Sequence, residues 1–414
     1  MVQRTDAAAD RYQAHRDKMA ERSRAQAAGS REIAGKGWVR PPEDAARRES
    51  CRMSLLKFCT TYQPGAYPLK FNPDHLEAID KIQTAVLQGG SFAMAMPRGS
   101  GKTTLCESAA LWASLYGHRQ FVVLFTAESG LSDAMMKRLK EELEANDRID
   151  ADFSEVTGPI RALEGIAQRK TGQLFEGKST RLDWHAQRVV FPQIPGSAVC
   201  GSRIMCTSIT ASFRGLKARM EDGSYIRPDL AIIDDPQTDE SASSKTQTDQ
   251  RLRVVRGAIL GLAGPGRSIA AIMPCTIIQR DDMAAQVLDR KKFPQWRGTT
   301  TGMVKSWPKR REMWDEYAAL LLEDMAAGVG FREKTGRKAK CTKFYRKNRK
   351  EMDEGFVVYW PERHEAGEIS GQQHAWNLLV ERGEAAFWAE YQNDPIAEAD
   401  DTGELAASPA VLEA

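Results

Sequence analysis

The chain has 414 residues, 42% of them hydrophobic and 28% charged, with a formal net charge of +3. That length holds two or three domains, or one large α/β domain with extensions, and the charge excess is too small to imply a polyanionic partner by itself. No apolar run approaches the roughly 18 residues of a membrane-spanning helix, the N-terminus is polar with no visible secretory leader, and the seven cysteines (51, 59, 106, 200, 206, 275 and 341) show no metal-ligand spacing, so reduced, buried thiols are expected.

Residues 1–53 are rich in Ala, Arg, Glu and Gln and read as a helical or partly disordered basic arm. Apolar content then rises, and 54–295 reads as one α/β core. Phe71-Asn72-Pro73-Asp74 is a turn and helix start, which predicts a helix from His75 to Leu87. Strands are predicted at 91–96, 121–127, 188–194, 202–209, 230–235 and 268–276. Helices are predicted at 102–116, 131–145, 243–261 and 281–290. Continuous apolar strands alternating with helices imply a mostly parallel sheet covered on both faces. The stretch 146–187, with Gly158-Pro159 and scattered Arg, reads as an irregular excursion. From 296 to 394 the texture changes to a linker or lid subdomain: Trp296, Trp307, Trp314 and Trp360 lie among basic residues, 332–350 is dense in Lys and Arg, Phe356–Trp360 is strand-like, and 370–391 is helix-like. The last stretch, 395–414, is acidic and Ala-rich and reads as a disordered tail.

The chemistry concentrates in two motifs. Residues 91–104 run from an apolar strand through Pro97-Arg98-Gly99-Ser100-Gly101 to Lys102-Thr103-Thr104 and into a helix. This is the layout of a phosphate-binding loop, in which backbone N–H groups cradle phosphates at a helix N-terminus. Lys102 would reach the β- and γ-phosphates of ATP, and the Thr103 hydroxyl would ligate Mg²⁺. One position departs from the pattern: Met96 stands where Gly is usual. The second motif is Leu230-Ala-Ile-Ile-Asp234-Asp235-Pro236, an apolar strand ending in two carboxylates. At the C-terminal end of a strand in an open α/β sheet, Asp234 would meet the metal and Asp235 would orient or deprotonate the attacking water. The two side chains point opposite ways if the strand continues. Thr276 ends the next apolar strand and could contact the γ-phosphate side through its hydroxyl. Phe71 and His75, upstream of the loop, are expected near the adenine.

Met94–Thr104, Arg227–Pro236, Pro274–Asp282, Asn348–Pro361 (ending Val-Val-Tyr-Trp-Pro) and Phe387–Pro395 (Phe-Trp-Ala-Glu-Tyr-Gln-Asn-Asp-Pro) together resemble the large terminase subunit of tailed bacteriophages, over residues from about 70 to 395. The loop and the acidic strand are generic to phosphate-loop motors, whereas the Trp-Pro-Glu-Arg and Glu-Tyr-Gln-Asn runs are much more specific. The resemblance implies an additional-strand P-loop NTPase fold and an ATP- and Mg²⁺-dependent motor. Such a motor translocates double-stranded viral DNA through a portal into a procapsid, in the host cytoplasm. It also implies a portal protein and a small terminase subunit as partners, assembly as a homo-oligomeric ring, and no membrane. Within the family an Arg inside the loop is common, which makes Arg98 a catalytic candidate beside Lys102, Thr276 and Asp235, and a loop lacking its first Gly is tolerated. Two departures stand out. Asp235 occupies a position that is Glu in many relatives, and the match ends near Pro395, so the family's nuclease half is not expected from this chain. For DNA, the expected contacts are Arg214 and the basic run Lys343, Arg346, Lys347, Arg349 and Lys350, interleaved with Phe344 and Tyr345. The competing readings are another DNA-dependent ATPase or helicase and a catalytically idle portal-docking subunit.

Overall fold

A computed structural model describes residues 31–329 and 339–396, together with residues 16, 18 and 19. Most of the basic arm, the first part of the basic run (332–338) and all but the start of the acidic tail lie outside the described residues.

The centre is an eight-stranded sheet. Its strands are β1 (Ser91–Ala95), β2 (Phe121–Thr126), β3 (Asp183–His185), β4 (Arg188–Val190), β5 (Arg203–Ser208), β6 (Leu230–Asp234), β7 (Ala270–Cys275) and β8 (Trp296–Thr300). Their spatial order is β8-β1-β7-β6-β2-β5-β4-β3. From β8 to β5 every pairing is parallel, and β4 and β3 add an antiparallel hairpin at one edge. All residues of β2, β6 and β7 are buried, as strands covered on both faces must be. Successive side chains alternate between two cores. Met94, Val122, Leu124, Ile232 and Ile272 face helices α1 (Ala45–Arg52), α2 (Leu55–Tyr62), α3 (Pro73–Gln88), α4 (Lys102–Leu115), α5 (Ser129–Ala145) and α6 (Asp147–Arg161). Ala95, Val123, Phe125, Ile233 and Met273 face the other layer, which follows β6 and β7.

The predicted strands and helices up to residue 145 form within a few residues of their expected limits. Later stretches differ, and the strand expected at 188–194 spans only Arg188–Val190. The 146–187 segment is largely ordered: α6 is a kinked helix, with Phe153 at a non-helical φ of −127°, and most of its residues are buried. The expected helix at 243–261 is broken into α7 (Asp239–Ser243), α8 (Lys245–Arg253) and a π-helical turn at Val254–Ile259, because Thr238 and Ser244 each cap a new start with their side chains. The sheet also runs past residue 295, since β8 pairs with β1. The 281–290 prediction corresponds to α9 (Met283–Leu288).

Residues 31–53 dock on the core. Arg40, Arg47 and Arg48 pair with Asp150, Asp152 and Glu155 of α6 at 2.5, 2.7 and 2.5 Å. Beyond the sheet, β9 (Val304–Ser306) pairs antiparallel with β10 (Val357–Val358), and helices α10 (Arg311–Ala326), α11 (Lys340–Met352), α12 (Gly371–Arg382) and α13 (Glu384–Glu390) close around Trp314, Tyr317, Tyr345 and Trp376. This C-terminal unit is tied to the sheet through Asn393. Its side chain accepts from the Ile277 N–H at 3.0 Å and donates to the Thr301 carbonyl at 2.9 Å, so it bridges the chain just past β7 and β8.

Candidate functional site

The site forms where β1, β7 and β6 end side by side. Between β1 and α4 the chain turns through 96–101, with Gly99 at φ +74° and Gly101 at φ +83°. These left-handed conformations favour glycine. Met96 is at a negative φ and buried, its N–H bonded to the Cys275 carbonyl at 3.1 Å. It works as the last core residue of the strand, which explains why a side chain is accepted there. Gly101 is the N-cap of α4 and offers no side-chain cap, so the first N–H groups of the helix face the loop without an internal partner. That end of a helix attracts anions.

Lys102 is the first residue of α4 and is buried. Its ammonium donates to the Met96 carbonyl at 3.0 Å and to the Thr276 hydroxyl at 2.9 Å, and lies 3.8 Å from Asp235 Oδ2. On the next residue of α4, the Thr103 hydroxyl donates to Asp234 Oδ2 at 2.7 Å. Thus Lys102, Thr103, Asp234, Asp235 and Thr276, drawn from three segments, meet at one point. Burial first, and the neighbouring Asp235 charge second, push the Asp234 carboxyl up to about 7, against the opposing pull of Thr103 and Lys102. The strand does not continue beyond Asp234. Asp235 adopts φ +38°, with its N–H on the Pro274 carbonyl at 3.1 Å. The turn brings its carboxylate towards Lys102 instead of to the far face that an unbroken strand would give it.

Upstream of the loop, Phe71, Tyr67 and Trp360 border a cleft of about 170 Å³, which Gly99, Ser100, Gly101 and Thr104 close from the other side. His75 is buried beneath it: Nε2–H donates to the Ser100 carbonyl at 3.0 Å, and burial lowers its pKa, in keeping with a neutral ring. It lines the same cleft, as expected, and also braces the loop. Pro97, at the start of the turn, presents its carbonyl to Lys102 at 3.5 Å.

Arg98 is not gathered with these groups. Its guanidinium pairs with Glu390 of α13 at 2.7 Å, and its N–H binds the Glu390 carbonyl at 2.8 Å. Nor does the basic helix join the site. Lys343, Arg346, Lys347, Arg349 and Lys350 lie exposed on α11, Arg349 bonded to Asp353 at 3.1 Å. Tyr345 is fully buried and Phe344 packs on the same core, so these aromatics hold α11 in place and are not free to stack on bases. Arg214 is exposed and borders a separate cleft of about 350 Å³ with Gln247, Gln250 and Arg251.

Four residues at the loop were given no role from sequence: Tyr67, Tyr359, Arg363 and Glu390. Tyr359 and Arg363 flank the Trp-Pro-Glu run, the signal that could have drawn attention to them.

No family model matches the chain, and no curated protein matches it. Among the described residues no helix is long and apolar enough to cross a membrane.

Proposed function

We propose that this chain is an ATP-driven motor that packages double-stranded DNA, the ATPase of a terminase-like machine. The observation that carries the ATPase reading is the convergence of Lys102, Thr103, Asp234 and Thr276 on a glycine-turned helix N-terminus. The order β1-β7-β6 supports an additional-strand P-loop NTPase fold, because β7 separates the loop strand from the acidic strand.

The residues fit a triphosphate and a magnesium ion. Among the described residues no three His, Cys, Asp or Glu side chains gather to cage a metal. Mg²⁺ does not need such a cage, because it takes one or two protein oxygens together with phosphate and water. Thr103 and Asp234 would hold it. Bound there, Mg²⁺ supplies charge neutralisation on the phosphate oxygens. The N–H groups of 99 and 101–104 and the Lys102 ammonium bind the phosphates, and Lys102 stabilises charge that develops in transfer. Asp235, at the strained turn and partly exposed, orients the attacking water or takes its proton. Thr276, bonded to Lys102 at the tip of β7, reports the phosphate state to the segment that Asn393 clamps. The cleft at Phe71, Tyr67 and Trp360 suits a flat purine ring. The exposed cations of α11 and Arg214 suit a DNA backbone. A portal protein, a small terminase subunit and further copies of the chain are the proposed partners.

The test is steady-state ATP hydrolysis with and without double-stranded DNA. Turnover should be Mg²⁺-dependent and rise with DNA, and Asp235→Asn should keep ATP binding while turnover falls about 100-fold or more. Turnover indifferent to DNA would remove the motor reading, and ATP-driven strand separation would replace it with a helicase.

A further inference from the structure

We infer that Arg363 is a second phosphate-contacting cation of this site, supplied in the same chain by the segment after β10, and that it engages the terminal phosphate of a bound nucleoside triphosphate. The inference rests on the nucleotide reading above and assigns to Arg363 the role that sequence gave to Arg98.

The guanidinium lies directly on the phosphate loop. A Cβ at Gly99 would come within 2.7 Å of Arg363 Nη2 and 3.3 Å of its Cζ, so Gly99 is needed for this approach as well as for its φ. The arginine is fixed from behind: its N–H bonds the Trp360 carbonyl at 3.0 Å, and the Trp360 indole donates to the Lys70 carbonyl at 2.9 Å. Among the described residues no carboxylate pairs with it. Its Nη1 is buried and makes no hydrogen bond. Burial works against its charge and outweighs the opposing pull of Tyr391, Tyr359, Glu368 and Glu365. Arg363 is half-buried, and a guanidinium held partly out of water without a counter-ion is unfavourable until an anion completes it.

Two further polar atoms lie at the loop. The Ser100 Oγ and the Tyr359 hydroxyl, on residues 3% exposed, are buried beside one another, and neither makes a hydrogen bond of good geometry. A loop of backbone donors and one unpaired guanidinium, with the neighbouring Ser100 and Tyr359 hydroxyls, form a donor-rich wall that matches phosphoryl oxygens. Arg98 has no such opening, since Glu390 already neutralises it.

The test compares full-length wild type, Arg363→Ala, Arg363→Lys and Lys102→Ala for ATP hydrolysis, for equilibrium affinity for ATP and ADP by calorimetry, and for thermal midpoint. Arg363→Ala should lower turnover about 100-fold or more and abolish most of the preference for ATP over ADP. ADP affinity should stay within about threefold of wild type and the midpoint should not fall, because no native bond is lost and an uncompensated charge is removed. Arg363→Lys should recover part of the turnover, as a point charge without the planar fork. Arg363→Ala that hydrolyses like wild type, while Lys102→Ala is inactive, would overturn the assignment and leave the nucleotide site standing. Equal loss of ATP affinity, ADP affinity and thermal midpoint in both Arg363 variants would also overturn it, in favour of a packing role. A wild-type chain that binds neither nucleotide would overturn both readings.

Discussion

The Thr103 hydroxyl and the Asp234 carboxylate, on segments far apart in the chain, are hydrogen-bonded at 2.7 Å at the end of the sheet. On the proposed reading, an alcohol and a carboxylate so placed supply the protein oxygens for a magnesium–triphosphate complex, and the hydrogen bond holds them in register. Asp234→Ala should therefore leave the sheet folded while Mg²⁺-dependent turnover drops at least ~100-fold. Metal titrations at fixed ATP measure this, and an unchanged Mg²⁺ requirement would remove Asp234 from the metal site.

The same carboxylate carries a pH signature. Its value in the fold is raised to about 7, above the ordinary 3.8. Between those values the folded chain holds a proton that the unfolded chain has lost. The stability this group contributes is thus fully present below about 4 and is lost as pH rises through about 7. Asp234→Asn removes the effect. Without metal or nucleotide, the thermal midpoint of Asp234→Asn relative to wild type should climb from pH 5 to pH 8. Because metal competes with the proton, Mg²⁺-nucleotide affinity of wild type should strengthen over the same interval. A midpoint difference that is flat with pH would contradict the assignment.

Asp152 predicts stability rather than activity. It is fully buried, accepts from Arg47 at 2.7 and 2.9 Å, from the Asp44 N–H at 3.0 Å and from the Tyr62 hydroxyl at 2.7 Å. Burial alone would raise its pKa, but these donors outweigh it and hold the carboxyl below the usual range. Asp152→Ala orphans all of them. Since Arg47 is one-third exposed, the cost belongs at the low end for broken buried pairs, about 3 kcal/mol. Urea unfolding of the two proteins checks it, and a difference below about 1 kcal/mol would mean that the arm does not depend on this anchor.

The loop and the acidic strand were legible because each is local: a glycine turn into a helix, and an apolar run into carboxylates. Their meeting could only be expected. Asp235 shows the limit: its place at the site was expected, but an unbroken strand would have turned its carboxylate away, and only the positive φ, invisible in the sequence, keeps it near Lys102. Helix α6 was hidden because Gly158-Pro159 looks like a breaker. In the fold, Gly158 admits the arm, and a Cβ there would sit 2.0 Å from the Trp38 carbonyl. Strand β8 was hidden because Trp-Arg-Gly-Thr-Thr is an edge strand with only Trp296 buried, so it has no apolar run to read. Arg363 and Glu390 act through contacts with residues hundreds of positions earlier, and no periodicity announces such contacts.

The central claim, a nucleoside triphosphate site built on Lys102, is tested most directly by measuring ATP binding and hydrolysis by wild type and Lys102→Ala side by side with Mg²⁺ present. The wild-type chain should bind and hydrolyse ATP, and Lys102→Ala should lose at least ~100-fold in turnover while keeping its fold. Equal turnover in the two proteins, or no ATP binding by wild type, would contradict the account.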